Sequence, residues 1–171
     1  QDNKVLANAK HFPGHGDTNV DSHYGLPVIH FSKIRMNETE LYPFKKLFDE
    51  GLGSVMVAHM NIPAYDSTHN LASTLSKPIV TDLLKNDLKY EGLVFTDALN
   101  MQGVAKFYEP GEVDMKALLA GNDMLLNTMN VERTIFEIKK AIDRNEITIE
   151  EIENRVKKVL QAKYWLGLDK Y

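Results

Sequence analysis

Four short apolar runs, each separated from the next by an amphipathic helical stretch, constrain this chain more than any other feature of its sequence. The runs are Val5–Ala9, Ser54–Ala58, Leu93–Thr96 and Asp123–Leu126. Each is bounded by glycine or a polar turn, the pattern of strands buried on both faces of a parallel sheet. Helices are expected between them. Asn37 is placed to cap one carrying Leu41, Phe44, Leu47 and Phe48, with Glu40 completing a capping box and Gly51 as its stop. Ser76 precedes a second with Ile79, Val80, Leu83, Leu84 and Leu88 on one face, and a third around Val113–Ala120 ends at Gly121. Two helices close the chain, with stripes at Val131, Ile135, Ile138 and Ile142 and at Ile149, Ile152, Val156 and Val159, where the Lys163 stem extends the second.

Such alternation implies right-handed βαβ units and a parallel sheet. A doubly wound sheet and a barrel both satisfy it. The barrel is favoured because no glycine-rich phosphate loop follows any strand and because the chemically capable residues fall after the strand ends, where barrel enzymes build their sites. A closed barrel needs eight strands and about 250 residues. With four strands in 171 residues, the expected fold is α/β, the C-terminal half of a (β/α)8 TIM barrel, as one partial domain over residues 1–171. The start at Gln1, without a methionine, reads as a cut end.

Composition excludes several function classes. The net charge is −4 with both signs scattered, so no basic face is offered to nucleic acid. The absence of cysteine removes disulfide scaffolds, thiolate metal sites and cysteine nucleophiles. No apolar run is long enough to insert in a membrane. The compartment stays open, cytoplasm and cell envelope fitting equally.

The densest chemical signal is Lys10–His23, K-H-F-P-G-H-G-D-T-N-V-D-S-H. Pro13, Gly14 and Gly16 make it a sharply bending loop rather than a helix. Three readings compete. His11, His15, Asp21 and His23 could ligate a metal, although the spacing lacks a helical H-x-x-x-H pair. The histidines could cap backbone groups. Or Asp21 and His23, two residues apart, could form a carboxylate–imidazole pair that fixes the ring and stabilises its protonated form for acid/base work. The second signal is Gly92–Met101, G-L-V-F-T-D-A-L-N-M, where Asp97 falls at the end of a buried strand. It is either an N-cap for the next turn of helix or a carboxylate held rigidly at a barrel mouth, suited to attack on an anomeric carbon. His59, ending S-V-M-V-A-H-M, reads equally as an active-site wall and as a satisfied structural histidine. Tyr164 and Trp165 read as packing residues, Glu150, Glu151 and Glu153 as a first turn favourable to the helix dipole, and Lys157 and Lys158 as a solvated face.

The loop and the V-F-T-D-A-L-N-M strand end, in this order, resemble glycoside hydrolase family 3, and within it the bacterial β-N-acetylglucosaminidase branch. The resemblance runs from Lys10 into the closing helices. It implies a retaining mechanism in which Asp97 is the nucleophile, His23 the general acid/base, Asp21 its orienting partner, and Lys10 and His11 a pair that binds sugar hydroxyls. It implies an amino-sugar glycoside substrate, terminal β-linked N-acetylglucosamine from peptidoglycan fragments, with no metal or organic cofactor. A neutral imidazole adds no negative charge beside the nucleophile, so phosphate in place of water is a variant of the same reading. The rivals are a β-glucosidase, a non-catalytic sugar-binding module and a metallohydrolase. The family's first half-barrel is missing from this sequence, so the chain alone is expected to have little activity and to self-associate through open barrel edges.

Overall fold

The computed structural model of the protein describes residues 1–18 and 25–168. Four parallel strands, β1 (Asn8–Phe12), β2 (Ser54–Val57), β3 (Leu93–Ala98) and β4 (Met124–Leu126), pair in chain order. The helices are α1 (Tyr42–Asp49), α2 (Pro78–Asp87, wound in π geometry), α3 (Glu112–Ala120), α4 (Val131–Asp143) and α5 (Ile149–Leu166). Sequential parallel strands joined by helices, with no strand reversal, form the arc of a half-barrel, as the sequence pattern implies. Among the described residues β1 and β4 are its two edges.

The two faces of the arc differ as a barrel requires. Phe12, Val55, Val57 and Val94 are fully buried against Phe44 of α1 and Ile79, Val80 and Leu84 of α2, forming the main core. Their strand neighbours point to the other side: Lys10, Met56, Phe95 and Met124 lie in register across the sheet, and the three apolar members of this row are half-buried. In a barrel such a row is one layer of the interior.

The first strand runs Asn8–Phe12, three residues later than Val5–Ala9. Val5 is exposed, whereas Phe12 sits in the core edge-on to Phe44, ring centroids 5.2 Å apart. The aromatic anchor, not the earlier aliphatic run, sets the strand, so Lys10–Phe12 belong to β1 rather than to the loop. Asn37 caps nothing. It lies in a π turn, Met36–Glu40, and its side-chain carbonyl accepts from Lys45 Nζ. Ser32 caps the preceding turn, and α1 starts at Tyr42 with Pro43 in its first turn, where a missing N–H is tolerated.

The closing helices keep part of their expected stripes: Ile138 and Ile142 of α4 and Ile152 of α5 pack against Met115, Leu118, Ala141 and Ile147. Val131, Ile135, Ile149 and Val156 are exposed, and Thr134 and Ala141 are the buried residues of α4. Tyr164 is 72% exposed and does not pack; Trp165 takes Lys4 Nζ over its ring at 4.8 Å. The first turn of α5 holds a capping box: Glu151 N–H donates to Thr148 Oγ1 and Thr148 N–H to Glu151 Oε2. Lys158 is not a solvated residue. Its ammonium donates to Gly92 O and Asp123 Oδ2, both at 2.7 Å, tying the last helix to the feet of β3 and β4.

Candidate active site

Asp97 lies near the C-terminal end of β3, two residues beyond Phe95 and on the same inward face. It is not an N-cap: the next helical turn, Gln102–Ala105, is preceded by Met101. Its side chain is 17% exposed, enough for a ligand to reach it. Oδ1 accepts from the N–H of Ala98 at 2.8 Å, leaving Oδ2 facing the neighbouring strand.

There it meets His11, whose Nε2 stands 3.7 Å from Oδ2. The ladder between β1 and β2 slips between Lys10 and Phe12, making His11 the extra residue of a bulge. Phe12 can then enter the core while His11 turns to the mouth. The peptide bonds preceding His11 and Pro13 are both cis. Lys10 stands in the inward row beside Met56 and is exposed. His15 lies beside His11, its ring tilted 59° to that of His11 with centroids 5.9 Å apart. The structure thus brings together Asp97, His11 and His15, with Lys10 on the adjoining strand position. Asp21 and His23 lie outside the described residues.

The loop leaves β1 through Gly14, whose N–H closes a turn on His11 O at 2.9 Å. Its φ is +134°, and a Cβ there would stand 2.6 Å from Glu40 Cβ, so no side chain fits. Glu40 is held from the other side by Arg35, Nη2 to Oε1 3.0 Å, and the same Nη2 lies 3.9 Å from Asp17 Oδ2. Gly14, Asp17 and Glu40, with Lys10, His11, Ile29, Phe31 and Phe44, line a cavity of about 390 Å³. Asp97 does not line it, so it is a neighbour of the site and not the site itself. It lies between the open edge of β1 and α1. Among the described residues no three His, Asp or Glu side chains converge on a position that could hold a metal.

His59 closes the floor, and here the structure decides between the two sequence readings: it is a satisfied structural histidine. It is fully buried, its Nδ1 2.8 Å from Thr74 Oγ1 and its Nε2 3.0 Å from Ala98 O. Burial pushes its pKa down, opposed by the Ala98 hydrogen bond and the charge of Asp97 and aided by His11. Thr74, its partner, gave no sequence signal, because it sits in a short 3-10 turn, Ser73–Leu75, with no periodic pattern.

Known proteins are similar to this chain in sequence and in this arc of strands. The family model described as "Glycosyl hydrolase family 3 N terminal domain" matches residues 1–162. A "Beta-hexosaminidase A" of Pseudoalteromonas piscicida is 32% identical, over 93% of this chain and 30% of its own length. The solved family 3 β-N-acetylglucosaminidase of a Paenibacillus strain superposes with a TM-score of 0.92 at 36% identity, over 98% of this chain and 32% of that one. A β-glucoside phosphorylase, BglX, solved bound to 2FGlc, superposes with a TM-score of 0.89 at 25% identity, over 98% of this chain and 31% of that one. This chain spans about a third of the length of the proteins it matches.

Proposed function

Because the chain belongs to the glycosyl hydrolase family 3 N-terminal domain family, we propose that it is the half-barrel of a retaining β-N-acetylglucosaminidase that carries the nucleophile. The observation that carries the reading is the Asp97 carboxylate, partly exposed at a strand end with one oxygen fixed by a backbone N–H and the other turned to His11. A carboxylate so placed can attack an anomeric carbon, giving a covalent glycosyl-enzyme that an acceptor then resolves. In this reading His23 protonates the departing glycosidic oxygen and later deprotonates the acceptor, with Asp21 orienting its ring. Lys10 and His11 bind sugar hydroxyls at the mouth. The relatives named for β-hexosaminidase and β-N-acetylglucosaminidase support an N-acetylglucosaminide substrate over a glucoside. Peptidoglycan-derived fragments are the proposed source.

A second reading, phosphorolysis, shares every residue and differs only in the acceptor. It is favoured by one observation, the likeness to a solved β-glucoside phosphorylase. We propose further that the 171-residue chain by itself associates through the edges of β1 and β4 and turns over little substrate, since four strands present only part of a barrel's rim.

The test uses the full-length protein with aryl N-acetyl-β-glucosaminide and aryl β-glucoside, in buffers with and without inorganic phosphate. Release of free N-acetylglucosamine is expected, and N-acetylglucosamine 1-phosphate would select the second reading. A fluorinated mechanism-based aryl glycoside should label Asp97, and Asp97→Ala should lose nearly all turnover. Labelling at another residue, with Asp97→Ala still active, would overturn the assignment.

A further inference from the structure

We propose that His59 is the positioning residue for Asp97, holding the backbone of Ala98 whose N–H fixes the nucleophile's carboxylate. This role rests on the reading of Asp97 as the nucleophile.

Regular sheet support stops just short of that residue. The pairing of β2 with β3 ends at Val57 with Thr96. On the other side the ladder to β4 is irregular between Phe95 and Ala98, and Leu126 N–H donates to the Thr96 side chain rather than to a backbone carbonyl. Asp97 therefore sits where neither neighbouring strand holds the chain by a regular ladder. Leu99 N–H to Leu126 O, 2.9 Å, restores contact with β4 beyond it. On the β2 side the support is the His59 ring. Ala98 thus has both polar groups engaged: its carbonyl accepts from His59 Nε2 at 3.0 Å and, from the following turn, from Met101 N–H at 3.1 Å, and its N–H donates to Asp97 Oδ1 at 2.8 Å.

The ring's own state follows from its partners. A carbonyl only accepts, so Nε2 carries a proton. His59 and Thr74 are both fully buried, which favours the uncharged ring. Nδ1 is then an acceptor for the Thr74 hydroxyl. That hydroxyl has a single proton, and Ala58 O, 2.6 Å away, is its nearest other acceptor; with Nδ1 unprotonated the ring accepts that proton's hydrogen bond, and Ala58 O keeps Ser73 Oγ as its donor. Ser73 and Thr74 orient His59, His59 orients Ala98, and Ala98 orients Asp97. A side chain of similar volume without the N–H would fill the space and leave the Ala98 carbonyl without its donor from the β2 side.

The experiment compares His59→Leu, Thr74→Val and Thr74→Ser in the full-length protein, with circular dichroism and thermal unfolding to find temperatures at which each is folded. For an aryl N-acetyl-β-glucosaminide, kcat should fall about 10²-fold in folded His59→Leu, the scale expected when a reacting group loses its alignment. KM should be nearly unchanged. Thr74→Val should fall in the same sense but less, and Thr74→Ser should recover. If His59→Leu does not fold, the Thr74 pair carries the same comparison. Unchanged kcat in a folded variant, or a rise in KM alone, would overturn the proposal. A second measurement needs no turnover: the ring nitrogen shifts of His59 should report a neutral ring protonated at Nε2, and a neutral ring protonated at Nδ1 would refute it. Should the unaltered protein show no glycosidase or phosphorylase turnover, the functional reading fails, while the nitrogen shifts still decide how His59 meets Ala98.

Discussion

His11 Nε2 stands 3.7 Å from Asp97 Oδ2, too far for a direct hydrogen bond and close enough for both to touch one substrate group. Under the proposed function, the separation suits a hydroxyl of a bound sugar that His11 would contact while Asp97 attacks the adjoining anomeric carbon. A contact that tightens as charge develops lowers the barrier rather than merely improving binding. In the full-length protein His11→Ala should therefore lower kcat and kcat/KM together, by about 10²-fold. A rise in KM with kcat unchanged would assign His11 to ground-state binding only.

The acid/base assignment of His23 makes a separate prediction. Activated aryl leaving groups depart without protonation, so their glycosylation does not need the acid. His23→Ala should be slow on alkyl or sugar leaving groups and nearly normal in the first step with activated ones. Asp21→Ala should show a weaker version of the same gradient. Equal losses across a leaving-group series would make the pair a binding element instead.

The half-barrel and the place of Asp97 at a strand end were legible in sequence for one reason. Both depend on local alternation, apolar strand then polar strand end, and β2, β3 and β4 lie where the runs place them. The misplacement of β1 has a tertiary cause: Phe12 gains a core pocket under Phe44 that no run of local residues announces. The tie from Lys158 to Asp123 was invisible for the same reason. A lysine on a charged helix reads as solvated until the fold closes that helix over the strand feet. His59 stood undecided because its partners, Thr74 and Ala98, are distant in sequence and joined only by the sheet.

Asp123 anchors that foot. Its carboxylate is almost wholly buried, with Oδ1 2.9 Å from Lys85 Nζ and Oδ2 accepting from Lys158 Nζ and from Val94 N–H. Burial alone would raise its pKa, but the charges and hydrogen bonds of Lys85 and Lys158 outweigh it and hold the group below the ordinary carboxylate range. A folded-state pKa below the unfolded value stabilises the fold above the unfolded pKa of about 4, and that contribution is lost as pH falls through the folded value. Asp123→Asn should cost about 2–3 kcal/mol near neutral pH, the scale of hydrogen bonds to a charged group. Urea unfolding checks this directly. The gap between the two proteins should narrow as pH falls below about 4, and a gap independent of pH would show that packing rather than charge holds the site.

The last prediction concerns the 171-residue chain expressed by itself. Among the described residues the outer edges of β1 and β4 have no strand partner, and Met56, Phe95 and Met124 form a half-buried apolar row on the inner face. Unpaired edges template further pairing, and each apolar side chain left in water forfeits up to roughly 1.5–3 kcal/mol. Two copies that meet edge to edge bury both features at once. Light scattering after size exclusion should therefore give a mass that rises with concentration toward a dimer. Met56→Lys, which adds a charge to the inner row beside Lys10, should shift the equilibrium back toward monomer. Such a dimer repeats this half of the rim instead of supplying the other, so aryl-glycoside turnover should stay far below that of the full-length protein. A monomer at every concentration would refute the association, and efficient turnover by the isolated chain would show that these four strands already hold a complete site.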